Sequence, residues 1–201
     1  MNKKKIVAGM LVLLVATVAC FLFTACNKTS DIDDFGKAMT DANSGEIETS
    51  MSLFGMDIEV VMKFDGNKTW NSAVLIENTE TYTETVGGKI YVYTKSDSGW
   101  IKSEEAPDTS TSDSLVDNPD ELRDMFDGSK YKYSVKEKAF VPKKGETIGN
   151  DVFTVKSMTI KDGVCVMKVK VKTEGMSVNA TITIKNLNNT TIVLPAVSET
   201  I

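Results

Sequence analysis

The chain of 201 residues contains no histidine, one arginine (Arg123), four prolines and three cysteines. Without an imidazole that titrates near neutral pH, a Ser–His–Asp triad is excluded and most zinc sites are disfavoured. A single arginine also argues against bidentate recognition of phosphate or carboxylate groups. We find no nucleophile with a matching base and no calcium-loop spacing, so the sequence predicts neither an enzyme nor a metal or cofactor site.

The chain also has fewer basic than acidic residues. The chain has 28 acidic residues against 23 basic ones, which gives a formal net charge of −5. A protein with this balance is not steered as a whole toward nucleic acid or toward anionic lipid headgroups. We therefore expect no nucleic-acid partner.

The first 25 residues have the pattern of a secretion signal. Lys3, Lys4 and Lys5 precede a run, residues 6–25, that carries no charge. A basic start, an apolar run and small residues before the cut are the marks of a signal peptide. The run is also long enough for an ordinary transmembrane helix, which is the alternative interpretation. Under either interpretation the residues that follow lie outside the cytoplasm.

The sequence LFTAC at residues 22–26 favours the signal peptide, because it resembles the lipobox of bacterial lipoproteins. The resemblance implies cleavage before Cys26 and attachment of diacylglycerol and fatty acyl chains, such as palmitate, at this residue. Phe23 departs from the pattern, in which Leu, Val or Ile is usual, and Ala19-Cys20 is a competing site. The polar tether NKTSD follows Cys26, which is the preferred site. Two acyl chains give stable anchoring, so we expect the protein at the extracytoplasmic face of the cell membrane.

The exported part is predicted to be one domain. Residues 1–25 are the signal peptide, residues 26–30 a lipidated tether and residues 31–201 a single domain. Loss of the signal removes three lysines and moves the net charge from −5 to −8. Cys20 leaves with the signal and Cys26 carries lipid, so Cys165 has no disulfide partner. The stability of the domain must therefore come from its hydrophobic core.

Most of the domain alternates between apolar and polar residues with a period of two, which is typical of half-buried strands. A clear example is CVMKVKVK at residues 165–172, where lysines alternate with apolar residues. Turn sequences such as Asp162-Gly163 separate the alternating segments. Strands are predicted at residues 47–53, 56–64, 69–77, 80–86, 89–95, 99–103, 130–136, 151–160, 164–173, 177–185 and 190–194.

Two short helices are predicted among these strands. The first, at residues 30–42, has Ser30 as its N-cap and places Ile32, Phe35 and Met39 on one side. The second, at residues 119–126, starts at a proline after a Ser-, Thr- and acid-rich loop. The expected fold is mainly β (α+β): a curved antiparallel sheet, or half-barrel, of about ten strands, with both helices covering the concave face.

Two stretches of the domain resemble a known family. KIYVY at residues 89–93 is followed by GWIK at residues 99–102, and IKNLNNTTIVLP at residues 184–195 closes the domain. With the order of lipobox, helix, hairpins and acidic loop, they resemble the LolA-like superfamily of lipid-carrying half-barrels, especially its LppX- and LprG-type lipoproteins. The resemblance covers residues 31–195, and the Lys- and Asn-rich, Arg-poor composition suits a firmicute member. It implies an apolar cavity for acyl chains, closed by the helix at residues 119–126.

The candidate site residues combine this resemblance with the alternating pattern. A one-residue error in register would move the whole lining set to the opposite face. The methionines of the set suit a surface that repacks around varied ligands, although ordinary core packing is the alternative for each of them. The expected lid residues are Leu122, Met125 and Phe126. The expected cavity-lining residues are Met51, Leu53, Ile58, Val60, Met62, Met167, Val169 and Val171.

The sequence therefore favours a membrane-anchored extracytoplasmic lipoprotein that binds or carries a lipid or another hydrophobic molecule. The alternative is a surface-displayed structural or protein-interaction module with a filled core and no ligand. The interior volume beneath the helix at residues 119–126 distinguishes the two hypotheses, because only a carrier needs a cavity there.

Overall fold

The computed structural model describes residues 29–74, 78–105, 124–150, 152–173 and 176–200. The predictions of a signal peptide, of lipidation at Cys26 and of a lid contact by Leu122 lie outside these residues. The helix α1 spans Ser30–Thr40. The strands are β1 (Ser44–Leu53), β2 (Met56–Asp65), β3 (Lys68–Val74), β4 (Asn78–Val86), β5 (Lys89–Ser96), β6 (Gly99–Glu105), β7 (Tyr131–Ser134), β8 (Ala139–Pro142), β9 (Phe153–Lys161), β10 (Val164–Thr173), β11 (Met176–Lys185) and β12 (Val197–Thr200).

All twelve described strands belong to one open sheet. Their order across the sheet is β12-β6-β5-β4-β3-β2-β1-β11-β10-β9-β8-β7. Strands β1–β6 form one series of antiparallel hairpins and β7–β11 form a second. The two series meet where β1 pairs with β11, from Glu46 opposite Lys185 to Met51 opposite Ala180. The prediction of a mainly β fold with a large curved antiparallel sheet is confirmed.

Two hairpin turns show why the chain reverses where it does. In the turn between β1 and β2, Phe54 has a φ of 53° and Gly55 a φ of 79°. Asp162 and Gly163 have φ values of 52° and 75° between β9 and β10. Positive φ at both central residues matches the right-handed twist of the flanking strands, and Asp-Gly adopts it at low cost. Positive φ is costly for Phe54, because its Cβ is crowded in that conformation.

Three details of the predicted strands and of the first helix were wrong. Residues 190–194, predicted as a strand, have no regular structure, and the last strand is β12 instead. Strand β8 was missed, since it is four residues long and ends in Pro142. The predicted N-cap, Ser30, is the first residue of α1; Thr29 holds the N-cap position, with helical backbone and no side-chain cap.

The second predicted helix is described only at its end. Asp124 and Met125 are helical, Phe126 lies in a turn, and residues 119–123 lie outside the described ranges. A short 3-10 helix at Gly128–Lys130 then leads into β7. The sequence predicted two helices and about ten strands. The described residues instead contain α1, the end of a second helix and twelve strands.

The core lies between α1 and one part of the sheet. Ile32 and Phe35 of α1 are buried, and Met39 packs against them at the edge, as the predicted apolar side of the helix requires. The rings of Phe35 and Phe126 lie 5.4 Å apart. This cluster continues onto the sheet through β8–β11, where alternate residues are buried. Its residues on β8–β11 are Phe140, Phe153, Val155, Met158, Cys165, Met167, Val169, Ala180, Ile182 and Ile184.

Candidate functional site

All eight predicted lining residues lie on one face of the sheet, here called the inner face. In the pairing of β1 with β2, Met51 is opposite Ile58 and Leu53 is opposite Met56. Met51 is also opposite Ala180, which is opposite Val169. Directly opposite residues share a face, and residues two apart on a strand do as well. The inner face therefore runs without interruption from β9 to β6, and the opposite side is called the outer face.

One part of the inner face is already filled. We call strands β1 and β7–β11 the packed part, because α1 and residues 124–131 cover them. Met167 is 2 % exposed and Val169 is 1 % exposed, both inside the core cluster. Met51 and Val171 pack against the edge of that cluster. A ligand could contact Met167 or Val169 only by displacing core side chains, so their lining role stays a prediction.

The described lid residues also belong to this core. Met125 is 2 % exposed and Phe126 is 4 % exposed. The hydroxyl of Tyr131, itself fully buried, donates to the Met125 carbonyl oxygen at 2.7 Å. Burial raises the pKa of Tyr131 well above its ordinary value, so this donor keeps its proton. These contacts hold Met125 and Phe126 against α1 rather than over an empty space.

The remaining inner face, on β2–β6, has a different character and is called the open part. Ile58, Val60 and Met62 are half-buried and lie outside the core cluster. Among the described residues of β2–β6, the inner face contains no buried side chain. Beyond β2 this face consists largely of threonines, with a few small or branched apolar residues and the polar Asn71 and Ser103 among them. They include Thr69, Asn71, Ala73, Thr79, Thr81, Thr83, Thr85, Ile90, Val92, Thr94, Ile101 and Ser103.

Three clefts in the described part of the chain are lined mainly by residues outside the predicted set, although Phe126 lines the first and Met51 and Ile58 line the second. One of about 580 Å³ lies beside α1 and is mainly acidic and polar, with Asp33, Asp41 and Asp124 in its wall. A second of about 550 Å³ lies at the Met51 end of β1 and β2, where most of its lining, such as Glu59, belongs to the outer face. A third of about 220 Å³ lies on the outer face of the open part, beside Trp70.

The outer face of the open part has an aromatic layer that the sequence did not reveal as one unit. The rings of Tyr82 and Trp100 meet edge to face at 5.2 Å. Glu80 accepts hydrogen bonds from Trp70 Nε1 at 2.7 Å and from the Tyr82 hydroxyl at 3.1 Å. Burial, followed by the hydrogen bond to Glu80, raises the pKa of Tyr82. Lys102 lies 4.2 Å from the ring centre of Tyr91.

The segment at residues 186–196, here called the strap, crosses this aromatic layer. It leaves β11 at the centre of the sheet and ends at β12, which pairs in parallel with β6 at the edge. Ile192 is 5 % exposed, and its backbone N–H donates to Asp65 at 3.0 Å. Val193, the next residue, is 80 % exposed. The apolar run that predicted a strand therefore covers a sheet face instead of joining the sheet.

Cys165 and Glu46 of the packed part have shifted pKa values. Burial raises the pKa of Cys165 to about 12, as expected for a small hydrophobe rather than a reactive thiol. Although burial alone would raise it, the pKa of Glu46 is lowered by hydrogen bonds from Lys185 and Asn186 and by the Lys185 charge. In the described residues, no group of three or more Cys, Asp or Glu side chains is placed to hold a metal ion.

Comparisons with known proteins do not identify a family for this chain. No family model matches the chain, and no curated protein is significantly similar to it. A solved structure of a DUF1329 family protein from Desulfovibrio piger is 14 % identical, with a TM-score of 0.33. The match covers 81 % of this chain and 92 % of that one. In the described part of this chain, no helix has the length and apolar character needed to cross a bilayer.

Proposed function

We propose that this chain is a membrane-anchored extracytoplasmic lipoprotein that binds a hydrophobic ligand on the open part of the inner face. The observation that carries the proposal is the contrast in burial along the inner face. Met167 and Val169 are buried by α1, whereas Ile58, Val60 and Met62 are not part of any buried cluster. These three residues, with the threonines beside them, give an elongated surface on which an acyl chain would bury apolar area.

The free energy of such binding comes mainly from removal of apolar surface from water, at roughly 25 cal/mol per Å² before the entropy of association is subtracted. Threonine methyl groups add to the apolar area, and the hydroxyls of Thr69 and Thr83 bond each other. The described part of this face has no charged side chain except Glu105 at its margin. A ligand with a long uncharged portion is therefore favoured over a polar metabolite.

The ligand is tested by native mass spectrometry and lipid extraction of residues 27–201, purified without detergent from a bacterial host. We expect a co-purifying lipid that Val60→Trp removes, since Val60 points into the proposed surface. The matched control is Glu59→Trp, because Glu59 is adjacent in sequence, exposed and on the outer face. A clean unliganded mass with no uptake of a fluorescent fatty acid would refute ligand binding.

The anchor is tested separately on the full chain expressed in bacteria that carry out lipoprotein processing. Labelled palmitate should enter the wild-type protein and the Cys20→Ser variant, and it should be absent from Cys26→Ser. Retention of label in Cys26→Ser with loss in Cys20→Ser would move the attachment site to the competing position.

A second function is favoured by the packed part. Met125 and Phe126 fill the space that a lid was expected to close, and a filled core is what a structural or protein-interaction module requires. That function predicts that the native mass spectrum shows no bound lipid. It also predicts that the wild type and Val60→Trp are both free of extractable lipid. The mass spectrometry experiment therefore decides between the two.

A further inference from the structure

Exposed apolar side chains are concentrated at one end of the sheet. In the described residues, eight large hydrophobic side chains are exposed, and four of them lie at the end where β1 stops and β2 begins. These four are Phe54, Met56, Val152 and Met176, and we call them the apolar rim. A contiguous apolar patch on a protein surface marks a contact with another molecule or with a membrane.

The strand register brings the apolar rim together. Met51 of β1 is opposite Ala180 of β11, so the start of β11 at Met176 lies level with the turn between β1 and β2. Val152 lies beside the same end of β10, where its carbonyl oxygen accepts a hydrogen bond from the Lys172 backbone N–H at 2.6 Å. The apolar rim therefore extends over the ends of neighbouring strands from β2 to β9.

The apolar rim is continuous with the inner face. Met56 lies two residues before Ile58 on β2, and Met176 has the same inner-face parity on β11. Every inner-face residue of β2 is apolar. The charged residues beside the apolar rim on β2 and β10 are Asp57 and Lys172, and both lie on the outer face. The open part of the inner face thus reaches this end of the sheet through apolar side chains.

Phe54 occupies a position that its side chain does not suit. Its φ of 53° crowds the Cβ, and an asparagine before Gly55 would form the same turn at lower cost. Phe54 is also the one aromatic residue in the described ranges whose side chain is exposed. Strain and exposure at the same residue favour a functional contact over a role in folding.

The described fold begins on the same side of the sheet. Helix α1 packs on the inner face and joins β1 through residues 41–43, so its C-terminal end lies beside Ser44, at the far end of β1 from the apolar rim. Its first turn points away from Ser44. With lipid attached at Cys26, two residues separate the anchor from Thr29, and they reach on the order of 10 Å at about 3.5 Å per residue. So short a tether keeps the inner side of the domain close to the bilayer.

We propose that the apolar rim inserts into the lipid bilayer beside the anchor, and that the open part of the inner face exchanges its hydrophobic ligand with the bilayer there. The inference rests on the proposed function, because it needs both the anchor and the ligand. Insertion of Phe54 and Met56 removes from water the apolar surface that folding leaves exposed. An acyl chain then passes between bilayer and inner face along apolar side chains instead of through water.

Insertion is tested on the full chain, purified from bacteria that process lipoproteins and reconstituted into phosphatidylcholine vesicles with or without brominated acyl chains. Bromine quenches tryptophan only at close range, so Phe54→Trp reports whether the apolar rim reaches the acyl region. The variant should lose at least about half of the emission that it gains over the wild type, because an inserted side chain lies about 5–10 Å into the boundary between headgroups and acyl chains.

The matched control is Val86→Trp. Val86 is exposed and apolar, but it ends β4 at the opposite end of the sheet, where Glu84 is opposite Lys68. The emission that this variant gains should not change in brominated vesicles. Absence of quenching in Phe54→Trp, or equal quenching in both variants, would overturn the insertion.

Exchange is measured as the rate at which a fluorescent fatty acid leaves the protein for acceptor vesicles. The described core lies within residues 29–200, so residues 27–201 are used. Phe54→Asn should slow the transfer by about fivefold or more, because asparagine lacks the apolar area of a phenyl ring. Its equilibrium uptake should match that of the wild type, since Asn-Gly suits the turn. Phe54→Leu, which keeps an apolar side chain, should transfer nearly as fast as the wild type.

Failure of this inference is distinguishable from failure of the proposed ligand binding. A wild type that takes up no fatty acid would refute ligand binding and with it the exchange, while the quenching result still decides insertion. Fatty-acid uptake without quenching in Phe54→Trp, or equal transfer rates in the wild type and Phe54→Asn, would refute the role of the apolar rim alone. A dimer in solution that Phe54→Asn converts to a monomer, with no quenching in vesicles, would assign the apolar rim to a second copy of the chain.

Discussion

The packed part and the open part of the sheet both consist of strands in which apolar and polar residues alternate, yet their apolar side chains are buried to different extents. In the packed part, Ile182 and Met167 are 4 % and 2 % exposed because α1 and residues 124–131 lie over them. In the open part, Ile58 and Val60 have the same strand geometry and face and remain half-buried. Alternation therefore specifies which side of a strand is apolar, whereas the elements that pack on that side decide whether it becomes core.

The outer faces differ as well. Behind β9–β11 of the packed part, the outer face carries lysines and small polar residues. Behind the open part it has the aromatic layer covered by the strap, with Tyr82 and Trp100 in contact. The sheet thus uses its inner face for a core at one end and its outer face for an aromatic cluster at the other. Among the described residues, the inner face of β2–β6 contributes no side chain to the buried core cluster.

The difference in packing between the two parts is tested most strongly by truncating one isoleucine in each of them. Ile182→Ala should lower the free energy of unfolding by about 2–5 kcal/mol, because a buried side chain leaves a cavity in a packed core. Ile58→Ala, the matched change on the open part, should cost about 1 kcal/mol or less. Urea denaturation followed by tryptophan fluorescence measures both. Equal losses would mean that the open part is as tightly covered as the packed part.

The strap supplies a second and smaller test. Ile192→Ala should lower the free energy of unfolding by about 2 kcal/mol, because Ile192 is buried over the aromatic layer. Val193→Ala is the control at the next position, and at 80 % exposure its effect should stay within about 0.5 kcal/mol. Thermal unfolding ranks the two variants, and a larger effect of the Val193 change would contradict the described path of the strap.

The hairpin that joins the two parts gives the smallest expected change. Phe54→Asn should raise the free energy of unfolding by about 1 kcal/mol, since Asn-Gly suits a turn with two positive φ values. Phe54 is 76 % exposed, so little burial is lost. Phe54→Leu keeps the crowded Cβ and should give no gain. Equal stability of the Asn and Leu variants in chemical denaturation would show that the turn is not strained by Phe54.

Much of this architecture was predictable from local pattern. The alternation in β1, β2 and β10, the turn residues that follow them and the apolar side of α1 each specify one local structure, and the structure contains them. The placement of all eight candidate lining residues on one face follows from the same parity. The alternating pattern predicts these strands because β1, β2 and β10 each lie between two neighbouring strands and each has one apolar face.

The rest depends on partners distant in sequence. Residues 190–194 are as apolar as a strand, but Ile192 meets the face of the sheet instead of an edge. Strand β12 has no apolar alternation and is defined by its parallel pairing with β6. The burial of Met167 likewise depends on α1, more than 120 residues earlier in the chain. Long-range packing of this kind leaves no local signature in composition or periodicity.

The pairing of β1 with β11 has a consequence for how the molecule is made. A chain synthesised from its N-terminus can form the hairpins of β1–β6 early, because each contact spans few residues. The free edge of β1, however, receives its partner only when Lys185 arrives opposite Glu46. Non-local pairing of this kind is slow, and an unpaired edge strand is prone to aggregate. The nascent first series of strands therefore persists as an incomplete sheet, with the edge of β1 exposed to other chains, until the residues of β11 have been synthesised.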